Sequence, residues 1–251
     1  MKIKEYQKKI FEIDLNSFEK KGIEEKLEDE VLLLGGIDGI YVFDGKRVER
    51  IIETKEIAYT LGIWNNELYH SSHDGKIYRT RDNKIIGERK YMVMALAVWN
   101  NELYDAGHYG IYRTKDNICI FKRDIPVTAL AVWNNELYEA QFFNSSSSIS
   151  RVGDCISIAR RDGIVYGLAV WNNELYDAGN YKKIYRTKDM KLIGKREDWI
   201  SALVVWKNEL YDVVRRKKIY KTISGEIILD FEKGIACVLP VKRNLLNFIK
   251  L

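Results

Sequence analysis

The feature that most constrains the fold of this chain is an internal repeat. The segment LAVWNNELYDAG occurs at residues 96–107 and again, unchanged, at 168–179, and its first nine residues recur at 130–138. Tryptophans mark the same point in five successive units, with spacings of 35, 34, 38 and 35 residues: Trp64, Trp99, Trp133, Trp171 and Trp206. A period of this length indicates an array of small structural units that stack on one another.

The pattern inside one unit predicts strands. Residues 94–124 read MALAVWNNELYDAGHYGIYRTKDNICIFKRD and divide into four short runs, separated by Asn-Asn, by Gly-His-Tyr and by Lys-Asp-Asn. Runs of this length between turn-forming residues are typical of strands joined by tight turns, whereas a helical repeat needs two helices of about ten residues. Four antiparallel strands per unit, in tandem, predict a β-propeller. We label the strands of each blade A to D, from the axis outward.

The number of blades depends on the chain ends. A first blade is predicted from a degraded strand A at residues 23–27 followed by EVLLLGG, IYVFDGK and RVERI, and blades two to six carry the marker tryptophans. Residues 235–240 resemble a seventh strand A, residues 244–251 a strand B, and residues 2–15 alternate as strands C and D would. We therefore predict a single all-β domain over residues 1–251.

The predicted domain is a seven-bladed propeller of four-stranded antiparallel blades. Six tandem blades span residues 22–234, and a composite blade from residues 1–16 and 235–251 closes the ring. Closure by strands from both termini would remove an open sheet edge. A six-bladed ring with extra terminal strands is the alternative.

Two propeller families resemble these units. The strand pair ALAVWNNELYDAG at residues 95–107 resembles a kelch repeat, and VLLLGGIDGIYVFDGK at 31–46 is similar to the kelch double glycine. A ring closed by both termini resembles WD40 propellers. The period here is shorter than the roughly 40–50 residues of those families, and short-repeat propellers of uncharacterised microbial proteins are the nearest resemblance. It implies a fold rather than an activity.

Composition and motifs favour a non-catalytic protein. The net charge is +5, and no Gly-x-Ser-x-Gly, Walker or dinucleotide-binding motif is present. Three cysteines without a metal-ligand spacing, no signal peptide and no long apolar run predict a monomer in the cytoplasm, away from membranes and without a cofactor.

Comparison of the repeats with one another separates structural residues from candidate functional ones. What every blade shares is most simply structural, so we interpret WNNEL as a hairpin turn flanked by packing aromatics and YRTKD as a solvated strand that enters a turn. A propeller places its A–B and C–D turns on one face and its B–C and D–A loops on the other, which we call the loop face. The loop face varies between blades, and binding residues concentrate on variable loops.

Basic residues on the loop face suggest a binding surface. The D–A loops contain Arg89-Lys90, Lys122-Arg123, Arg160-Arg161 and Lys195-Arg196. The B–C loops of blades five and six add the predicted patch: Lys182, Lys183, Arg215, Arg216, Lys217 and Lys218. Such an arc suits an acidic protein surface, or a nucleic acid or other polyanion. We predict a scaffold that binds a protein partner or a polyanion through this face.

The histidines support an alternative function. His70 and His73 with Asp74 lie in the predicted B–C loop of blade two, and His108 lies in that of blade three. Three imidazoles and a carboxylate could form a metal or small-ligand site, and such a site could be the active site of an enzyme. Blade four has the longest predicted B–C loop, QFFNSSSSIS.

Overall fold

The computed structural model describes residues 29–154 and 156–249. Within these residues the chain forms six four-stranded antiparallel sheets, each of them one blade. Blade one comprises β24 (Cys237–Lys242), β1 (Glu30–Gly35), β2 (Gly39–Phe43) and β3 (Val48–Glu53). Blade two comprises β4 (Thr60–Trp64), β5 (Glu67–Ser71), β6 (Lys76–Arg79) and β7 (Lys84–Glu88).

The other four blades repeat this plan without interruption. Blade three comprises β8 (Val93–Trp99), β9 (Glu102–Gly107), β10 (Gly110–Arg113) and β11 (Ile118–Lys122). Blade four comprises β12 (Val127–Trp133), β13 (Glu136–Phe143), β14 (Ser146–Arg151) and β15 (Ser157–Asp162). Blade five comprises β16 (Val165–Trp171), β17 (Glu174–Gly179), β18 (Lys183–Arg186) and β19 (Lys191–Lys195). Blade six comprises β20 (Ile200–Trp206), β21 (Glu209–Val214), β22 (Lys218–Lys221) and β23 (Ile227–Asp230).

The described residues thus form six blades, and the prediction of seven is wrong. The innermost strands contact one another in sequence around the axis, and β24 contacts β4 to close the ring. The strand predicted at 235–240 is a strand A, but it belongs to blade one, where β24 pairs with β1 from Glu30–Lys242 to Gly35–Cys237. The strands predicted within residues 1–16 and 23–27 lie outside the described residues.

The segment after β24 corrects a second prediction. Residues 244–251 were expected to form a strand B, but Arg243–Leu245 is a 3₁₀ turn and Leu246–Ile249 a short α-helix. The edge that a new strand B would need is already paired with β1. Leu246 and Ile249, three residues apart, instead lie on one helical face and pack against Val31 and Leu61. Among the described helices, none is long and apolar enough to cross a membrane.

The A–B turns confirm the structural interpretation of WNNEL. Both turn residues have positive φ in each of blades two to six, for example 48° at Asn100 and 60° at Asn101. Asparagine tolerates this left-handed conformation better than most residues. The Trp99 indole donates to the Asn135 carbonyl of the next blade's turn at 2.8 Å, and its ring packs on Tyr104. The shared motif therefore links neighbouring blades.

The C–D turns confirm the interpretation of YRTKD. In blade three, Asp116 accepts a hydrogen bond from the backbone N–H of Ile118, and the Arg113 guanidinium lies 2.6 Å from the same carboxylate. Equivalent Arg–Asp pairs occur in blades two, four and five. The arginine of this motif is therefore held by its own turn.

A buried ion pair joins most neighbouring blades. An arginine at the end of strand D, or directly after it, reaches a carboxylate sixteen residues later, on strand B of the next blade. Four junctions have this pair: Arg89–Asp105, Arg123–Glu139, Arg161–Asp177 and Arg196–Asp212, at 2.6 to 2.7 Å. The carboxylates are fully buried, and the pair therefore satisfies a charge that burial alone would make costly.

The two remaining junctions replace the pair with uncharged residues. Phe231 and Leu34 occupy the two positions between blades six and one, and both belong to one apolar cluster. Thr54 and His70 occupy them between blades one and two. A shared backbone hydrogen bond shows that Thr54 and Phe231 occupy the position of the paired arginines. The N–H groups of Arg89, Thr54 and Phe231 donate to equivalent carbonyls of the B–C loops.

Candidate functional site

The ion pairs between blades reduce the number of basic side chains that the predicted arc can offer to a partner. One arginine of each D–A pair forms an ion pair with the next blade, and its side chain is buried or nearly so: Arg89, Arg123, Arg161 and Arg196. These four guanidinium groups therefore hold the ring together and are not available to a partner. The other basic residue of each D–A pair forms no ion pair with a described residue, and the B–C turns of blades five and six carry further positive charge.

The B–C turn of blade six joins its two strands through three residues, Arg215, Arg216 and Lys217, because Val214 pairs with Lys218. Arg215 and Arg216 have φ values of 53° and 57°, close to those of the Asn-Asn turns on the opposite face. The left-handed conformation costs an ordinary side chain about 1–2 kcal/mol per residue. We call Arg215, Arg216, Lys217 and Lys218 the basic hairpin. The first three of these residues are exposed, and Lys218 is half-buried.

An open groove runs along the outer side of the basic hairpin. It has a volume of about 820 Å³ and lies between strand D of blade five and the hairpin. Five basic and two acidic side chains line this blade-six groove: Lys195, Arg196, Arg215, Lys217, Lys218, Glu197 and Asp198. Arg215 lies 3.5 Å from Asp198, while Lys195 and Lys217 form no ion pair with another described residue. The groove therefore has a net positive lining.

The structure places the other two predicted basic residues beside this groove. The Lys182 ammonium donates to the Glu197 carbonyl at 2.9 Å, so it borders the D–A loop from the blade-five side. Lys183 pairs across the strands with Lys195. Five of the six predicted basic residues thus lie beside residues 195–198: Lys182, Lys183, Arg215, Lys217 and Lys218.

A cavity on the propeller axis lies on the inner side of the basic hairpin. This axial cavity has a volume of about 210 Å³ and is lined by the first residues of the A strands, which follow the D–A loops. Arg216 reaches it, with its guanidinium carbon 5.6 Å from the Tyr59 ring centre and 5.7 Å from that of Trp199. Successive arginines of one turn therefore face two different concavities.

Three polar side chains in the wall of the axial cavity donate hydrogen bonds to backbone carbonyls. The Thr128 hydroxyl donates to the Val165 carbonyl at 2.6 Å, and the Ser201 hydroxyl donates to the Val213 carbonyl. The Cys237 thiol donates to the Ala58 carbonyl, and burial raises the pKa of this thiol to about 12. A thiol with such a pKa stays protonated at neutral pH and is a poor nucleophile.

The structure separates the predicted histidine site. His70 is buried in strand β5, where its Nδ1 lies 3.0 Å from the Thr80 hydroxyl and its ring stacks on Tyr78. His73 and His108 are exposed and lie against Tyr59 and Tyr91. Asp74 accepts hydrogen bonds within its own turn from the Lys76 N–H and the Tyr78 hydroxyl. Across residues 29–154 and 156–249, no three His, Cys, Asp or Glu side chains are grouped as a metal ion requires.

The groove between blades two and three provides an internal comparison. It occupies the equivalent position but holds only about 60 Å³, His108 and Tyr109 lie where blade six has Arg215 and Arg216, and Tyr91 lies at the position of Asp198. The Tyr91 and Tyr109 rings contact each other edge to face at 4.9 Å. The large basic groove is thus a property of blade six rather than of the repeat.

Sequence reasoning missed the aromatic partners of Arg216. Tyr59 and Trp199 lie directly before strands β4 and β20, and only the D–A loop that contains Trp199 was among those predicted to carry the basic arc. Their position one or two residues before an apolar strand start was a readable signal. Another was the spacing of sixteen residues between arginine and carboxylate, which repeats four times.

Comparison with known proteins identifies a fold. Neither the models of known protein families nor the curated protein sequences match this chain. A protein of unknown function from Bacteroides caccae is 12% identical, with a TM-score of 0.58 over 85% of this chain and 99% of that one.

Two further solved structures resemble it. The WD40 β-propeller domain of Doa1 is 14% identical, with a TM-score of 0.54 over 73% of this chain and 71% of that one. A chain in a structure of the mitotic checkpoint complex is 16% identical, with a TM-score of 0.54 over 82% and 76% of the two chains. Over its described residues the chain is a six-bladed β-propeller, and WD40 propellers are among the structures it resembles.

Proposed function

We propose that this protein is a non-catalytic scaffold that binds an acidic segment of a protein partner through its loop face, centred on the basic hairpin. The observation that carries the proposal is the pair of arginines at positive φ. In the A–B turns of blades two to five, asparagine fills both positions of this geometry and adopts it at lower cost, and in blade six Lys207 and Asn208 fill them. Strained backbone is concentrated at functional sites, and here the strained residues are exposed, cationic and beside a groove.

The charge of the groove supports a protein partner over a nucleic acid. Lys195 and Lys217 have no carboxylate partner in the described part of the chain, so a ligand can still neutralise them. Glu197 and Asp198 lie in the same lining and would repel a continuous phosphate backbone. A protein surface of mixed charge can avoid this repulsion.

The surroundings of the hairpin also suit a protein interface. Arg216 lies between Tyr59 and Trp199, and Tyr220 lines the groove. Tyrosine, tryptophan and arginine supply most of the residues whose truncation weakens protein interfaces strongly. One structural neighbour is a chain in a structure of the mitotic checkpoint complex, so a chain of similar fold occurs in a protein complex.

Capture from lysate of the native cell tests the proposal. The test variant replaces all four residues of the basic hairpin with glutamate. The matched control makes the same change of net charge on the opposite face, at exposed positions: Lys46, Arg47, Lys84 and Lys191. We expect a partner that wild type and the control variant retain, that the hairpin variant loses, and that nuclease does not release.

Each other outcome has a definite meaning. Equal capture by the hairpin variant would reject the hairpin as the binding site. Capture that disappears on nuclease treatment would replace the protein partner with a nucleic acid. Circular dichroism and thermal melting of each variant establish that the charge changes leave the propeller folded.

A further inference from the structure

The axial cavity contains a guanidinium group with free hydrogen-bond donors. We propose that Arg216 and the axial cavity seat one carboxylate side chain of the acidic segment that the basic hairpin binds. The inference rests on the proposed function and adds to it a single anchoring residue and the kind of side chain that the anchor accepts.

Arg216 differs from its neighbours in its partners. Arg215 has Asp198, and Arg196 has Asp212. Arg216 has no carboxylate partner among the described residues, and its recorded contacts are the faces of Tyr59 and Trp199. A guanidinium held against ring faces keeps the N–H groups on its edge available. Two of these N–H groups can bind one carboxylate in the paired geometry that arginine favours.

The cavity wall supplies no competing charge. Its lining contains no aspartate or glutamate, and Arg216 is its one charged residue among those described. The hydroxyl groups of Thr128 and Ser201 already donate to backbone carbonyls. Leucine, alanine and methionine are the main apolar residues of the remaining lining. A carboxylate on an apolar stem would therefore find one partner for its charge and apolar contact for its methylene groups.

The size of the cavity limits the ligand. Pockets that bury a whole small-molecule ligand usually have volumes of about 300–1,000 Å³. The axial cavity has about 210 Å³, which suits a single side chain rather than a separate metabolite.

The hairpin geometry explains why the side chain belongs to an extended acidic segment. Arg216 faces the axial cavity, whereas Arg215, Lys217 and Lys218 line the groove. A segment that crosses the hairpin from groove to axis therefore meets cationic groups on both sides. One isolated carboxylate could use only one of the two concavities, but a run of acidic residues can use both.

Fluorescence anisotropy with two labelled peptides tests the inference. The first peptide carries six glutamates and an amidated C-terminus, and the second carries six glutamines and a free C-terminus. Each is titrated with wild type, with Arg216→Gln, and with a triple variant in which Arg215, Lys217 and Lys218 become glutamine. Arg47→Gln is the matched control, because it removes one exposed arginine without an ion-pair partner among the described residues, on the face opposite the basic hairpin.

We expect wild type to bind the glutamate peptide, Arg216→Gln to weaken binding by about tenfold or more, and Arg47→Gln to change it less than about twofold. Unchanged binding by Arg216→Gln together with weak binding by the triple variant would overturn the inference and leave the proposed function standing. Binding of the glutamine peptide in an Arg216-dependent way would overturn it in favour of a chain terminus. No binding of the glutamate peptide by wild type would overturn both proposals.

Discussion

At the scale of single residues, the junction between blades one and two differs from the four that contain an arginine–carboxylate pair. Its two positions carry Thr54 and His70. The His70 ring stacks on Tyr78, with 5.1 Å between ring centres. In the next blade, the Arg89 guanidinium lies over the equivalent Tyr112 at 4.4 Å. A neutral imidazole therefore takes the place of a cation at this junction.

His70 should make folding stability depend on pH. Burial lowers the pKa of His70 from 6.5 to about 4, because the charged imidazole loses its solvation. The imidazole binds a proton more tightly in the unfolded chain than in the folded one. The neutral, buried His70 ring therefore makes its full contribution to the free energy of unfolding above pH 6.5, and this contribution is lost as pH falls toward 4. The shift corresponds to a loss of about 3 kcal/mol in the free energy of unfolding.

Urea unfolding between pH 7 and pH 4 measures this loss. The difference between wild type and His70→Asn isolates the His70 contribution from carboxylates that titrate in the same range. His73→Asn, an exposed histidine three residues away, should retain the wild-type pH dependence. A His70→Asn profile parallel to that of wild type would contradict the prediction.

The same junction should accept the charge pair of its neighbours. His70→Asp alone would bury a carboxylate beside Thr80 without a cation, and we expect it to reduce the free energy of unfolding by about 3 kcal/mol or more. Adding Thr54→Arg places a guanidinium where Arg89 lies in the next junction, so the double variant should recover most of the loss. A double-mutant cycle based on urea unfolding measures the coupling energy between the two substitutions. Additive effects would contradict the prediction, because they would show that an arginine and an aspartate at these positions do not form a stabilising pair.

The sequence shows these pairs as spacing but not as buried contacts. Segments such as KRD and RRD carry both charges close together, which favours the interpretation of a solvated loop. The partner of Arg161 is in fact Asp177, in the next blade, and not the adjacent Asp162. Only the packing of one blade on the next distinguishes the two carboxylates, and no local pattern encodes that packing.

At the scale of elements, the two kinds of positive-φ turn allow a direct comparison of stability and binding. Replacing Arg215 and Arg216 with asparagine copies the A–B turns into the B–C turn of blade six. We expect the free energy of unfolding to rise by about 1 kcal/mol, because asparagine adopts this conformation at lower cost. The same variant should lose the partner captured by wild type. Reduced stability would contradict the assignment of strain to this turn.

Asn172→Arg with Asn173→Arg is the reciprocal control. These residues have φ values of 49° and 59° in the A–B turn of blade five. The substitution should destabilise the protein by about 1 kcal/mol and should leave partner capture unchanged, because this turn lies on the opposite face. Chemical denaturation and the capture assay measure the two effects.

The B–C connection of blade four was predicted as a long loop and is instead a strand extension. β13 and β14 continue to the pair Phe143–Ser146, and only Asn144 and Ser145 form the turn. A run of four serines gives no alternation of apolar and polar residues, so periodicity could not indicate a strand. Backbone pairing with β13 and β15 forms the strand without that signal.

At the scale of the whole molecule, ring closure determines the number of blades. The sequence correctly indicates a strand A near residue 237, because its apolar run resembles the others. It cannot indicate the neighbour of that strand, since β24 pairs with β1 across almost the full length of the chain. The count of seven followed from assigning a new blade to a strand that completes the first one.

Closure by β24 should make the propeller unfold as one unit. Val241 is buried at 4% exposure and packs in one cluster with Val31 and Leu33. Val241→Asp places a charge without a partner in this cluster, and we expect the free energy of unfolding to fall by about 3–5 kcal/mol. Lys242→Gln, at an exposed neighbouring position, should change it by less than about 0.5 kcal/mol.

Hydrogen exchange extends this test to the far side of the ring. In a closed ring every blade packs on two neighbours, so weakening the closing strand lowers the stability of all blades together. The amides of β13 in blade four, including that of the buried Ala140, should therefore exchange faster in Val241→Asp by the factor that its global stability predicts. Protection retained in blade four, with fast exchange only in blades one and six, would instead show that the blades unfold independently.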